Sequence, residues 1–215
     1  MERPARGVTL ADEAKALFGF PGPRTIAACF IVAVVARLVV GGWTWVDPVV
    51  AVAILAFEPF TEWLIHVFIL HSKPRRILGL KVDLLIAREH RKHHADPRDP
   101  KLVLVPLPIV VIGLPLAAVL VVLLADPLGA GITGLVVGYG MLLTYEWTHH
   151  LIHSAYRPKG RYYRSIWRAH RLHHFRNEHY WYGVTINLAD HVLRTFPAKD
   201  EVPLSATART LGVDA

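Results

Sequence analysis

The sequence predicts an all-α polytopic membrane protein: four transmembrane helices in two hairpins, with a cytoplasmic helical cap carrying the histidines. Three observations support this. Hydrophobic residues make up 53% of the 215 positions, more than an ordinary soluble domain of this length carries. Four apolar runs, at about 25–46, 48–70, 102–125 and 127–152, each supply the ~20 residues needed to cross a ~30 Å hydrocarbon layer. The bases and the histidines gather at one end of those runs.

Residues 1–24 contain acids and bases but no long apolar core before Pro21. That pattern does not match a cleaved signal, so the stretch reads as a cytoplasmic leader. Residues 25–200 read as a single membrane domain and 201–215 as a C-terminal tail. The turns within the hairpins, Gly41-Gly42 through Asp47-Pro48 and Asp126-Pro127, are rich in helix breakers, as tight reversals require.

The formal net charge of +7 reflects topology. Of the 24 Lys and Arg residues, 23 lie before the first run, within 71–101 or beyond 154, and the positive-inside rule places those segments in the cytoplasm. A nucleic-acid partner would need a basic face on a soluble domain, so none is expected. The exception, Arg37, lies inside the first run and reads as a snorkelling or bundle-facing base. Glu58, inside the second run, should likewise face the bundle interior. The single cysteine, Cys29, allows neither an intramolecular disulfide nor a cysteine metal site.

Thirteen histidines fall at or beyond the cytoplasmic ends of the second and fourth runs. His90-x-x-His93-His94 and His170-x-x-His173-His174 have helical spacing that should bring each trio to one point. His149 and His153, four apart, share a face. His66 and His71, five apart, lie about 140° round a regular helix, so the second span should end or unwind between them, near Leu70. An internal echo pairs Arg88-Glu89-His90-Arg91-Lys92-His93-His94 with Arg168-Ala169-His170-Arg171-Leu172-His173-His174, each after a hairpin carrying Glu-Trp. Ten ligands result: His66, His71, His90, His93, His94, His149, His153, His170, His173 and His174. Ten imidazoles exceed what one ion accepts, so two ions with five ligands each are expected. Imidazole suits iron, zinc, copper or nickel alike. Glu62 and Glu146 could accept an N–H from a ligand ring or neutralise the basic rim. His179 reads as a supporting or structural residue, and His191 as a surface residue.

These residues resemble the membrane fatty acid hydroxylase superfamily, which includes sterol desaturases and fatty acid alpha-hydroxylases. The order of histidine motifs matches, as do 93–103 (His-His-Ala-Asp-Pro-Arg-Asp-Pro-Lys-Leu-Val), Tyr145-Glu146-Trp147-Thr148-His149, and His173-His174-Phe175-Arg176-Asn177 followed by Tyr182-Gly183-Val184-Thr185 and Asp190. Ala189 and Arg194 depart from the usual tryptophan and glycine, which puts substrate identity in question. The family register selects His149 with His153, whereas the internal echo, matching Glu62-to-His66 with Glu146-to-His150, selects His150. The resemblance implies a di-iron centre (Fe2+/Fe3+), with zinc able to occupy it in purified samples. It also implies O2 as co-substrate, a lipid substrate from the bilayer, and electrons from a separate cytochrome b5-like protein or a ferredoxin and reductase, no cytochrome b5-like domain being fused. The expected reaction is hydroxylation of a fatty acid or fatty acyl chain. A sterol or carotenoid hydroxylase or desaturase is the alternative within the superfamily, and a metal transporter the alternative outside it.

Overall fold

The computed structural model describes residues 7–213; Arg3 and Arg6 of the leader and the last two residues of the tail lie outside them. Helix α1 (Leu10–Leu17) starts at Thr9, whose hydroxyl accepts from Asp12 N while the Asp12 carboxylate accepts from Thr9 N, a reciprocal cap. The four spans follow as two hairpins. The first joins α2 (Pro21–Val40) to α3 (Val46–Leu64). The second joins α6 (Leu107–Leu124) to α7 (Leu128–His153). Four segments are long and apolar enough to cross a membrane: Pro21–Val40, Val46–Leu70, Pro100–Leu124 and Leu128–His153. The first begins and ends earlier than its hydropathy suggested. Pro21 and Pro23 suit the first turn of a helix, and Gly41, at φ 60°, stops it.

Between the hairpins lie a two-stranded hairpin, β1 (Arg75–Ile77) and β2 (Leu80–Val82), then α4 (Leu85–Ala95) and the short α5 (Pro100–Val103). After the second hairpin come α8 (Arg161–Phe175) and α9 (Leu188–Val192). Helix α7 is the hub: α2, α3 and α6 each pack on it, and α2 also meets α6. Helices α3 and α6 instead flank a gap along α7.

At the end of the bundle away from the histidines, Arg37 is buried. Its guanidinium donates to Asp47 Oδ1 at 2.6 Å, to Thr133 Oγ1 at 2.8 Å and to the Gly41 carbonyl at 2.5 Å, and it lies 3.5 Å from the centre of the Trp43 ring. The bundle-facing expectation for this base therefore holds. A charge inside a span is tolerable only with such partners.

Candidate metal centre

The second span does not end as a regular helix. Ile65–Leu70 is a π-turn, and His71 N donates to the His66 carbonyl five residues back at 3.1 Å. One extra residue per turn brings positions i and i+5 to the same side, so the His66 and His71 rings sit 5.0 Å apart. In α7, regular spacing of four places the His149 and His153 rings 4.9 Å apart.

The ten histidines fall into two sets of five. His66, His71, His90, His94 and His173 form one; His93, His149, His153, His170 and His174 form the other. Within each, one nitrogen per ring lies within 4.8 Å of the others, a geometry able to hold a metal ion. The sets adjoin, with the His94 ring stacked on His174 at 4.2 Å. This corrects the expectation that each His-x-x-His-His trio converges on one point. On a helix, residues four apart are ~40° from each other but adjacent residues are ~100° apart. Helix α4 therefore gives His90 and His94 to the first set and His93 to the second. Helix α8 gives His170 and His174 to the second set and His173 to the first.

Every one of these rings has a buried nitrogen without a hydrogen-bond partner among the described residues. In the first set the tautomer is fixed at three rings: Nδ1 of His66, His94 and His173 meets the carbonyls of Tyr182, Ala208 and Tyr180 at 2.7, 2.8 and 2.8 Å. The carbonyl can only accept, so Nδ1 carries the proton and Nε2 presents a bare lone pair. In the second set, Nε2 of His170 lies 3.1 Å from Nε2 of His149 and 3.0 Å from that of His174. Burial, reinforced by the neighbouring imidazoles, holds His71, His90, His93, His170, His173 and His174 well below the usual histidine range. Burial pulls His94 down to about 3. Neutral imidazoles are what a metal ion needs.

The acids take other roles than direct support of the rings. Glu62 accepts from Thr185 N at 3.2 Å and from Val184 N and the Thr185 hydroxyl, and Glu146 accepts from Val105 N at 2.8 Å. Neither carboxylate bonds one of the ten rings; at three rings of the first set backbone carbonyls take that role. Asp190 accepts from Tyr182 N at 3.0 Å, Gly183 N at 2.7 Å and Thr195 Oγ1 at 2.6 Å, bracing the loop whose carbonyls hold His66 and His173. Gly183 is required there, since a Cβ would lie 2.6 Å from the Ile186 carbonyl and 3.0 Å from Asp190 Oδ2. His149 joins the second set; His150 turns away, and its Nε2 lies 2.9 Å from Glu13 Oε2 in α1. His179 is exposed, 3.5 Å from Glu178, and the His191 ring packs at a tilt against Phe196.

Residues 202–211 close over the site. Val202, Ala208 and Leu211 are buried, Ser205 N donates to the Arg176 carbonyl at 2.8 Å, and Arg209 donates to the Ala95 carbonyl. Below the histidines, a cavity of about 690 Å³ runs along α7 between α3 and α6. His66, His90 and His149 line its head, and Phe57, Ile109, Leu114, Met141 and Leu142 are among its walls. Glu58 also lines it, its carboxylate oxygens 3.3 Å from the Thr185 hydroxyl.

The fatty acid hydroxylase family model matches residues 50–195. The chain belongs to that family. Among curated members it resembles a dihydroceramide fatty acyl 2-hydroxylase of Arabidopsis thaliana, 32% identical over 151 residues covering 67% of this chain and 60% of that protein. It also resembles the fatty acid 2-hydroxylases of Mus musculus, 28% identical over 69% of this chain and 40% of the relative, and of Homo sapiens, 31% identical over 62% and 36%. The match thus spans less than two thirds of each relative's length. A solved structure described as full-length scs7p, with only the hydroxylase domain visible, shares the fold at a TM-score of 0.62 and 21% identity, over 93% of this chain and 70% of that one. The family's fold accounts for the four spans and the capping helices.

Proposed function

We propose that this chain is an O2-dependent membrane oxygenase that hydroxylates a lipid, a fatty acid or fatty acyl chain, at a di-iron centre held by the ten histidines. The observation that carries the reading is the placement of ten imidazoles, eight buried and two half-buried, in two sets of five at the head of an apolar cavity between spans. Iron, when bound, would supply the redox capacity to activate dioxygen, which zinc lacks. His66, His71, His90, His94 and His173 would hold one ion, and His93, His149, His153, His170 and His174 the other.

The remaining work belongs to the chain itself. The carbonyls of Tyr180, Tyr182 and Ala208 orient three rings so that the lone pairs point inward, as the outer partners of metal-bound histidines do. The cavity walls seat an acyl chain and exclude water from the reacting carbon. The gap between α3 and α6 gives a chain in the bilayer a lateral way in. Per turnover, one oxygen atom enters the lipid C–H bond and the other leaves as water, consuming two electrons and two protons. The electrons come from a separate cytochrome b5-like protein or a ferredoxin and reductase, docking on the histidine-bearing face, which the base distribution assigns to the cytoplasm.

The test is metal analysis and spectroscopy of detergent-purified protein from iron-supplemented cells, with lipid analysis of the host expressing wild type or His173→Ala. Two irons per chain and new hydroxylated lipids, both diminished in the variant, are expected. Protein that binds no metal under these conditions would overturn the reading.

A further inference from the structure

The β1–β2 hairpin has no core. Every residue of both strands is exposed, and a lone two-stranded hairpin is marginal in water. Its register pairs Arg75 with Val82, Arg76 with Lys81 and Ile77 with Leu80. Directly opposed residues project to the same side and successive pairs to opposite sides. One side therefore carries Ile77 and Leu80 together with Arg75 and Val82, while the other carries Arg76 and Lys81, two like charges placed where they repel.

The turn is more unusual. Leu78 and Gly79 occupy it at φ 50° and 81°, a conformation that favours asparagine or glycine at both positions. Leu78 is also 98% exposed, with Leu80 at 72% and Ile77 at 53%. A strained leucine projecting into water serves no purpose within the fold. The bases are equally without partners: among the described residues Arg75, Arg76 and Lys81 form no ion pair. The adjacent acid, Asp83, is taken by Arg91 at 2.6 and 2.7 Å.

Location supplies the occupant. β1 begins at Arg75, five positions after the span ends at Leu70. At ~3.3 Å per residue, the intervening link cannot carry the hairpin far from the bilayer surface. An apolar tip with a basic collar is the pattern of an element lying in the membrane interface, where acyl chains take up the apolar side chains and anionic headgroups neutralise the bases.

We propose that the hairpin tip Ile77–Leu80 dips into the bilayer from which α3 emerges, and that Arg76 and Lys81 bind anionic lipid headgroups. This holds whether or not the chain is an oxygenase. The test places a fluorophore at the tip: Cys29→Ala with Leu78→Cys, labelled with an environment-sensitive dye and reconstituted in nanodiscs. The discs contain phosphatidylcholine alone or mixed with phosphatidylglycerol, and Asp200→Cys in the same background is the water-exposed control. The expected result is a blue-shifted emission at position 78, quenched several-fold more by spin-labelled lipid than the control. Quenching should be stronger in the anionic discs, and Arg76→Glu with Lys81→Glu should abolish that increment. A label at 78 quenched by aqueous iodide as readily as the control would overturn the insertion, and would point instead to a soluble partner for the tip. Equal lipid quenching in the two kinds of disc would overturn the headgroup assignment.

Discussion

The two five-histidine sets share one plan but are fastened differently. Each takes a pair from the end of a span, an i,i+4 pair from the helix that follows its own hairpin, and one ring from the helix of the other half. In the first set, three rings are held from behind by carbonyls at 180, 182 and 208, in segments that arrive from the far end of the sequence. In the second, the rings come from α4, α7 and α8 and lie close against one another, with the carbonyls of Val103 and Pro97 beside His149 and His153. The first set depends on long-range closure of the chain, and the second mainly on helical spacing. Damage to the C-terminal segments should therefore separate them.

The largest effect is expected from removing a histidine of the helix-built set. His174→Ala should eliminate about half of the bound metal and essentially all turnover, since residues acting as a unit are not partly dispensable. Full metal content by elemental analysis would show that this ring is not a ligand. Next, truncation at residue 206 removes the Ala208 carbonyl and buried Leu211. Loss of such an outer partner weakens a metal site by about 10–100-fold, so one ion should be stripped by chelator well before the other. Simultaneous release of both would break the distinction between the sets.

Gly183→Ala tests the same dependence without shortening the chain. Its Cβ would strike the Ile186 carbonyl, displacing the Asp190-braced loop and weakening the first ion by about 10-fold, with the second unchanged. The smallest effect belongs to Glu13→Gln. The Glu13–His150 contact ties α1 to α7 outside both sets, and losing it should cost about 1–3 kcal/mol. The measurable result is a lower thermal midpoint in detergent with metal content intact; a loss of metal would return His150 to the ligand set.

The spans and the ten imidazoles were legible in the sequence because hydropathy and the i, i+3, i+4 pattern are local properties. The division of the imidazoles was not, since assigning His93 apart from His90 and His94 requires knowing what faces α4. The internal echo pointed to His150 because it ignored register: the first half spaces its span pair by five through a π-turn, and the second by four. Backbone carbonyls are common to all residues, so Tyr180, Tyr182 and Ala208 carried no signal as ring partners. Glu13 was equally unreadable, its partner lying 137 positions away. Glu62 and Glu146 share helix faces with histidines, yet in three dimensions they serve backbone N–H groups.

The π-turn at Ile65–Leu70 also makes the two span ends unequal in their tolerance of a change in length. Deleting one residue from that stretch, such as Phe68, would leave a segment long enough to cross the bilayer and let the turn relax to a regular helix with His66 and His71 four apart, still on one side. The same deletion in α7 between His149 and His153 meets no such reserve: α7 is a regular helix there, the pair becomes three apart, and everything after it turns by ~100° relative to the span. One half of the molecule could lose a residue and keep its histidines facing; the other could not.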